Sequence, residues 1–298
     1  MCDVEFLKPK ELLRRNPLLR GIKRTLSHYV NVMIREPRFN IIRSCPMFQP
    51  FTSGSVKNRS MATLTCINQT IPNLTLLAKT LKTTMAREIE VRQITSFATT
   101  ARDQKAAEEI KELFNKYQSD KSSAHNYHFF YGPILRGLLS SGNINGILEI
   151  GLGTPNTQLL SNMGSYGKPG ASLRAFRDFT DVQIYGSDID RTILFEERNI
   201  QTFFVDQTDP ESFLKLGLKI PSNLDLVIDD GLHSINTNIA TLQFGITKIR
   251  KGGWVVIEDI SPMTIPLWEL IMQWIPDSFK CHLIQSSEHY FLFAIQKK

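Results

Sequence analysis

The chain has 298 residues, enough for one large domain or one domain with an appendage, and at 42% hydrophobic it can bury a core, which excludes a disordered class. No apolar run approaches the ~18 residues of a membrane span, the start MCDVEFLKPK lacks an apolar signal region, and Cys2, Cys45, Cys66 and Cys281 form no C-x-x-C pair, so a zinc site and a disulfide scaffold are not expected and a cytoplasmic, reducing setting is. The formal net charge of +6 is uneven, with 12 Lys/Arg against 4 Asp/Glu in residues 1–60 and 23 against 25 in the remainder.

A basic start can serve as an arm for nucleic acid or anionic lipid, or form a solvated helical face. The basic residues are interleaved with apolar ones rather than run together, which favours the face. Leu12, Leu13, Leu18, Leu19, Ile22 and Leu26 suggest one or two amphipathic helices broken near Pro17. Residues 44–75 carry Pro46, Pro50, Gly54 and Pro72 among Ser, Thr and Asn and read as loop. Residues 76–117 read as helix again, through Leu76, Leu77, Leu81, Ala106, Ile110, Leu113 and Phe114. The whole of 1–115 is expected to be a mainly α-helical extension acting as lid, substrate wall or homo-oligomer contact.

The stretch YQSDKSSAHNYHFFYGPIL (117–135) is dense in Asp, Lys, His and Tyr. Asp120, Lys121, His125, Tyr127 and Tyr131 could line a pocket, or could cap a helix and fill a core. GILEIGLG (146–153) then reads as a buried parallel strand feeding a tight glycine turn. A dinucleotide turn wants G-x-G-x-x-G, and here Asn156 stands at the sixth position. A nucleoside without pyrophosphate needs no such cradle, so S-adenosylmethionine (SAM) suits the turn better. A long Gly-rich loop and a helix from Ser172 follow.

The strand VQIYGSDID ends in Asp188 and Asp190, where a carboxylate can accept both ribose hydroxyls. TFFVDQTD ends in Asp206 and Gln207, where adenine could be met. LDLVIDDGLHS ends in Asp229, Asp230 and His233, and WVVIEDI ends in Glu258 and Asp259. Carboxylates converging at neighbouring strand ends repel one another and suit a hard cation such as Mg²⁺. Each acid alone could be a helix cap; their recurrence on adjacent strands favours metal binding or catalysis. Two closely spaced strands, CHLIQSS and HYFLFAIQK, close the chain.

The ordered set ILEIGLG, YGSDID, FFVDQTD, VIDDGLH and KGGWVVIEDI resembles class I SAM-dependent methyltransferases. The finer features SDK-x3-H-x-Y-x3-Y (Ser119–Tyr131), G-x-SLR (Gly170–Arg174), DDG-x-H and IED are similar to metal-dependent O-methyltransferases of macrolide sugars and rhamnosyl groups, with cephalosporin-hydroxylase-type proteins as relatives. The resemblance covers residues 116–298. It implies an α/β fold: a Rossmann-like seven-stranded sheet, parallel with one antiparallel edge strand, flanked by helices. It implies cofactor binding by Glu149, Gly151, Gly153, Asp188, Asp206 and Gln207, a Mg²⁺ or other divalent cation on Asp230, Glu258 and Asp259, and His233 as general base. His125, Tyr127 and Lys121 are expected on the substrate side. Leu232 replaces the serine usual in DDGSH, and Thr237 a second histidine. The expected activity is methylation of a hydroxyl on a small metabolite, sugar or glycosylated polyketide. The rival readings are a nucleic-acid methyltransferase using the basic arm and a non-catalytic SAM-binding scaffold.

Overall fold

A computed structural model describes residues 45–52, 55–81, 90–142 and 144–298. The helices expected between Leu12 and Leu26 lie outside the described residues. The core is a single sheet of β1 (Val91–Gln93), β2 (Ile147–Ile150), β3 (Ile184–Asp188), β4 (Glu196–Glu197), β5 (Ile200–Phe204), β6 (Leu224–Asp229), β7 (Ile249–Ile260), β8 (Phe279–Gln285) and β9 (Phe291–Lys297). Its spatial order is β1-β8-β9-β7-β6-β2-β3-β5-β4.

Seven strands are expected, and among the described residues the sheet has nine. The expected antiparallel strand, β9, is not an edge: it lies between β7 and β8 and runs antiparallel to both. The two extra strands cap the edges. β1 pairs parallel with β8 and β4 pairs antiparallel with β5. Both are too short to show an alternating pattern, yet each covers backbone groups that an open edge would leave unpaired. The parallel strands β5, β3, β2, β6 and β7 all end on one rim.

Side chains alternate across this sheet, as strand geometry requires. Leu148, Val227 and Val255 face one core; Ile147, Ile228 and Val256 face the other. Each such fully buried aliphatic side chain contributes roughly 1.5–3 kcal/mol. The first core is covered by α1 (Val56–Leu81), α6 (Pro210–Gly217), α7 (Ile235–Lys248) and α8 (Ile265–Trp274). The second is covered by α2 (Ala101–Tyr117), α4 (His128–Ser140) and α5 (Ala171–Thr180), with the single turn α3 (Asp120–Ser123) joining α2 to α4.

The loop expected over 44–75 is overturned from Val56 onward, because α1 is one helix that passes through Pro72. Its hydroxyls do not break it: Ser60, Thr63 and Thr70 each donate to the carbonyl four residues back, at 2.7, 2.8 and 2.7 Å. Cys66, Leu74, Leu77 and Leu81 turn inward to the first core. Amide contacts fix the helix on α7: Asn236 Nδ2 donates to Gln69 Oε1 at 2.6 Å, and Asn73 Nδ2 to the Asn236 carbonyl at 2.8 Å.

Candidate functional site

A cavity of about 790 Å³ opens on the rim where the parallel strands end. Its floor is the glycine turn after β2. Gly151 adopts φ +102°, and a Cβ there would overlap the carbonyl of Asp230, so the turn and the end of β6 meet at a separation only glycine allows. Gly153, at φ +79°, lies against the Met163 side chain. The Leu152 N–H donates to Asp188 Oδ2 at 2.8 Å, and the Asp190 N–H to Asp188 Oδ1 at 2.8 Å. Thr154 ties the turn to the next strand by donating to Asp190 Oδ2 at 2.5 Å. Burial lifts the Asp188 carboxyl above the ordinary range, against these backbone donors.

Of the six residues expected to hold the cofactor, Gly151, Gly153, Asp188, Asp206 and Gln207 line this cavity. Glu149 lies below it, fully buried, accepting from Ser172 Oγ at 2.6 Å. Gln207 spends its amide inside the protein: Nε2 donates to Asp229 Oδ1 at 2.8 Å and Thr241 Oγ1 at 3.0 Å, and Oε1 accepts from the Leu232 N–H at 2.8 Å. Its side chain braces the turn after β6. Asp206 Oδ1 accepts from the N–H and hydroxyl of Thr208 at 2.8 and 2.7 Å.

The second half of the cavity holds the acids. Ligand atoms of Asp230, His233 and Asp259 all lie within 4.8 Å of one another. His233 Nε2 is 3.8 Å from Asp230 Oδ1 and 3.8 Å from Asp259 Oδ2, while Nδ1 is buried in the protein. The remaining oxygen of each aspartate is anchored. Asp230 Oδ2 faces Lys121 Nζ at 2.7 Å, and Asp259 Oδ1 accepts from the Tyr127 hydroxyl and lies 3.3 Å from His125 Nδ1. Both His233 and Asp259 occupy left-handed backbone, at φ +53° and +51°, a conformation that costs such residues roughly 1 kcal/mol or more and is held by the surroundings. One such hold is the Phe51 N–H, which donates to the His233 carbonyl at 2.9 Å.

Glu258 is expected beside Asp230 and Asp259 as a third cation ligand. In the structure Glu258 points the other way, buried, with Oε2 2.5 Å from Lys121 Nζ and Oε1 accepting from the Tyr131 hydroxyl. Burial pushes the Glu258 carboxyl far up and the Asp230 and Glu149 carboxyls up, with the Lys121 ammonium opposing. Burial pulls Lys121 down, but the attraction of Asp230, Glu258 and Glu149 outweighs it, so the ammonium stays charged well above its usual range.

Among the residues expected on the substrate side, His125 lines the cavity, whereas Lys121 and Tyr127 are buried behind it. Burial lowers the His125 pKa, and the carboxylates of Asp120 and Asp259 raise it to a net rise. Tyr290 and Phe51 were not anticipated. The Tyr290 ring meets His125 edge-on at 4.5 Å and Phe51 at 5.4 Å, closing the cavity beside the acids. Tyr290 sits in the turn from β8 to β9, which the strand order brings to the same rim, so its place was open to inference. Phe51 had no signal among its prolines. Met61 and Thr65 also line the cavity, from a helix read as loop.

The donor set fits a hard divalent cation: two carboxylate oxygens left free by their anchors, with an imidazole nitrogen beside them. Among the described residues no helix is long and apolar enough to cross a membrane.

No family model matches the chain. It is 36% identical over 119 residues to demethylmacrocin O-methyltransferase of Streptomyces fradiae, a match covering 38% of this chain and 27% of that protein. It is 37% identical over 119 residues to mycinamicin VI 2''-O-methyltransferase of Micromonospora griseorubida, covering 38% and 27%. It is 32% identical over 154 residues to L-olivosyl-oleandolide 3-O-methyltransferase of Streptomyces antibioticus, covering 50% and 36%. The chain thus spans about a quarter to a third of the length of the curated relatives it matches. Among solved structures, the MycE methyltransferase of the mycinamycin biosynthetic pathway, in complex with Mg, SAH and mycinamycin VI, superposes with a TM-score of 0.51 at 22% identity, covering 63% of this chain and 53% of that one. The fold is therefore the Rossmann-like class I methyltransferase fold, and the resemblance seen in the motifs is to the same group of proteins.

Proposed function

We propose that the chain is a SAM-dependent, divalent-cation-dependent O-methyltransferase acting on a hydroxyl of a sugar or of a glycosylated polyketide. The observation that carries this reading is the meeting of Asp230 Oδ1, Asp259 Oδ2 and His233 Nε2 in the cavity that the glycine turn floors. The named relatives methylate oxygen, and the MycE crystals hold Mg and SAH.

Gly151 and Gly153 would let the nucleoside lie against the backbone, with Asp188 beside its ribose and Asp206 near its base. Bound there, SAM supplies an electrophilic sulfonium methyl. Asp230 and Asp259 would hold the cation, Mg²⁺ or a similar ion, which lowers the pKa of an acceptor hydroxyl. His233 Nε2 faces that position and would take the hydroxyl proton as general base. The Phe51 and Tyr290 rings would keep water from the reacting oxygen and give a sugar ring apolar faces to rest on. Phe51, Thr52, Met61 and Thr65 act in this reading as a wall of the acceptor pocket, one of the roles open to the extension before residue 115. Self-association through that extension and a cytoplasmic setting belong to the same proposal. The nucleic-acid alternative rests on residues 1–60, most of which lie outside the described residues.

The test is His233→Ala, with SAM binding by calorimetry and methyl transfer to a glycosylated macrolide acceptor. Turnover should fall at least a hundredfold with SAM affinity kept. Equal loss of both would remove His233 from the base role.

A further inference from the structure

Behind the cation-facing oxygens lies a group that the proposed reaction does not use. Lys121 Nζ sits 2.5 Å from Glu258 Oε2, 2.7 Å from Asp230 Oδ2 and 3.1 Å from Glu149 Oε1. The lysine is 2% exposed, Glu258 1% and Glu149 0%, so the ammonium meets the two glutamates out of water, while Asp230, 27% exposed, joins them from the cavity wall. The outer oxygens of the two glutamates are occupied as well, by Tyr131 and Ser172. Three carboxylate oxygens gathered round one point are what a divalent ion takes from a protein. Here a monovalent ammonium stands at that point. Asp230 is shared: its Oδ2 belongs to the lysine and its Oδ1 faces His233.

Resting on the cation reading above, we propose that Lys121 is a positioning residue that stands in place of a second cation. It anchors Asp230 by one oxygen, keeps Glu258 from ligation, and so limits the rim to a single divalent ion held through Asp230 Oδ1 and Asp259 Oδ2. The physical argument is charge balance. Removing the ammonium leaves two buried glutamates and the cavity-lining Asp230 facing one another, an arrangement that demands another positive charge or protons. Asp230 could then bridge two ions, as carboxylates do in two-metal sites. The lysine also places a positive charge next to a ligand of the first ion, which weakens that ion's binding.

The experiment is a Mn²⁺ titration of the full chain, with free Mn²⁺ read by electron paramagnetic resonance and no SAM or acceptor present. Wild type should take one ion. Lys121→Met should take a second ion or bind the first at least tenfold more tightly, with a larger Mn²⁺-induced rise in Tm than wild type. The pair Lys121→Met with Glu258→Gln removes one charge of each sign, and should return to one ion with affinity within about threefold of wild type. That pair carries the test if the single variant does not fold. A folded Lys121→Met that binds as wild type or more weakly, or a double variant that loses the ion, overturns the proposal; the latter would make Glu258 a ligand. A wild type that takes up no Mn²⁺ would instead bring down the cation reading itself.

Discussion

Tyr127 separates positioning from substrate contact. It is fully buried, its hydroxyl donates to Asp259 Oδ1, and the hydroxyl oxygen accepts from the Asp259 N–H at 3.2 Å. Tyr127→Phe keeps the ring and removes only that oxygen, so no cavity larger than a hydroxyl forms. Losing a hydrogen bond to a charged acceptor costs about 1.5–3 kcal/mol, and the Asp259 N–H left without an acceptor adds to it. Urea unfolding should therefore show a loss of about 2–4 kcal/mol. Asp259 would lose the anchor that turns Oδ2 toward His233, and loosening a ligand's supporting partner typically weakens metal binding about 10–100-fold. Mn²⁺ binding should weaken by that factor, while SAM affinity, set at the glycine turn, holds. A variant with unchanged stability and Mn²⁺ affinity but a raised KM for the acceptor would refute the positioning argument and make Tyr127 a substrate contact.

Three further outcomes follow from the packing. Gly151→Ala forces a methyl into the Asp230 carbonyl at φ +102°, so SAM binding by calorimetry should weaken at least tenfold; wild-type affinity would mean the turn is not the nucleoside floor. His128 and His282 are both held near pKa about 4, chiefly by burial and next by Lys111 and Arg92 respectively. Below about pH 6.5 the unfolded chain binds protons that the folded chain refuses until about pH 4, so stability should fall as pH drops through that window, by about 1.4 kcal/mol per pH unit per histidine. Replacing His282 by Phe should remove about half of that slope in urea titrations at pH 6.5 to 4; an unchanged slope would contradict it. Pro72 lies exposed inside α1, and Pro72→Ala should raise Tm by restoring an N–H to the helix ladder; a fall would mean that the rigidity proline gives the unfolded chain outweighs the missing N–H.

The parallel strands were legible because each is a short apolar run ending in an acid, and ILEI is buried at all four positions. The acids could be placed at one rim from strand order alone. What side each acid faces could not. Glu258 and Asp259 are consecutive, and successive strand residues point to opposite faces. Glu258 obeys this and meets Lys121 and Tyr131, on the side of the second core, while Asp259 leaves the strand by a left-handed step and turns toward His233. Gln207 has the sequence position of a ligand contact, yet its amide is consumed under the turn after β6 by partners remote in sequence. Helix α1 was hidden because its Ser, Thr, Asn and Pro are residues that elsewhere mark loops; here the hydroxyls bond within the helix and the amides bond across to α7 and the loop after β5. Strands β1 and β4 carry no periodic signal at three and two residues.

The central claim is that a methyl donor and a divalent ion share one cavity. A crystal of the full chain grown with S-adenosylhomocysteine and Mn²⁺, measured at the manganese edge, tests it most directly. The account predicts one anomalous peak within bonding distance of Asp230 Oδ1 and Asp259 Oδ2, with the nucleoside lying on Gly151 and Gly153. Manganese bound at a remote surface, or a nucleoside lodged away from that glycine turn, would contradict it.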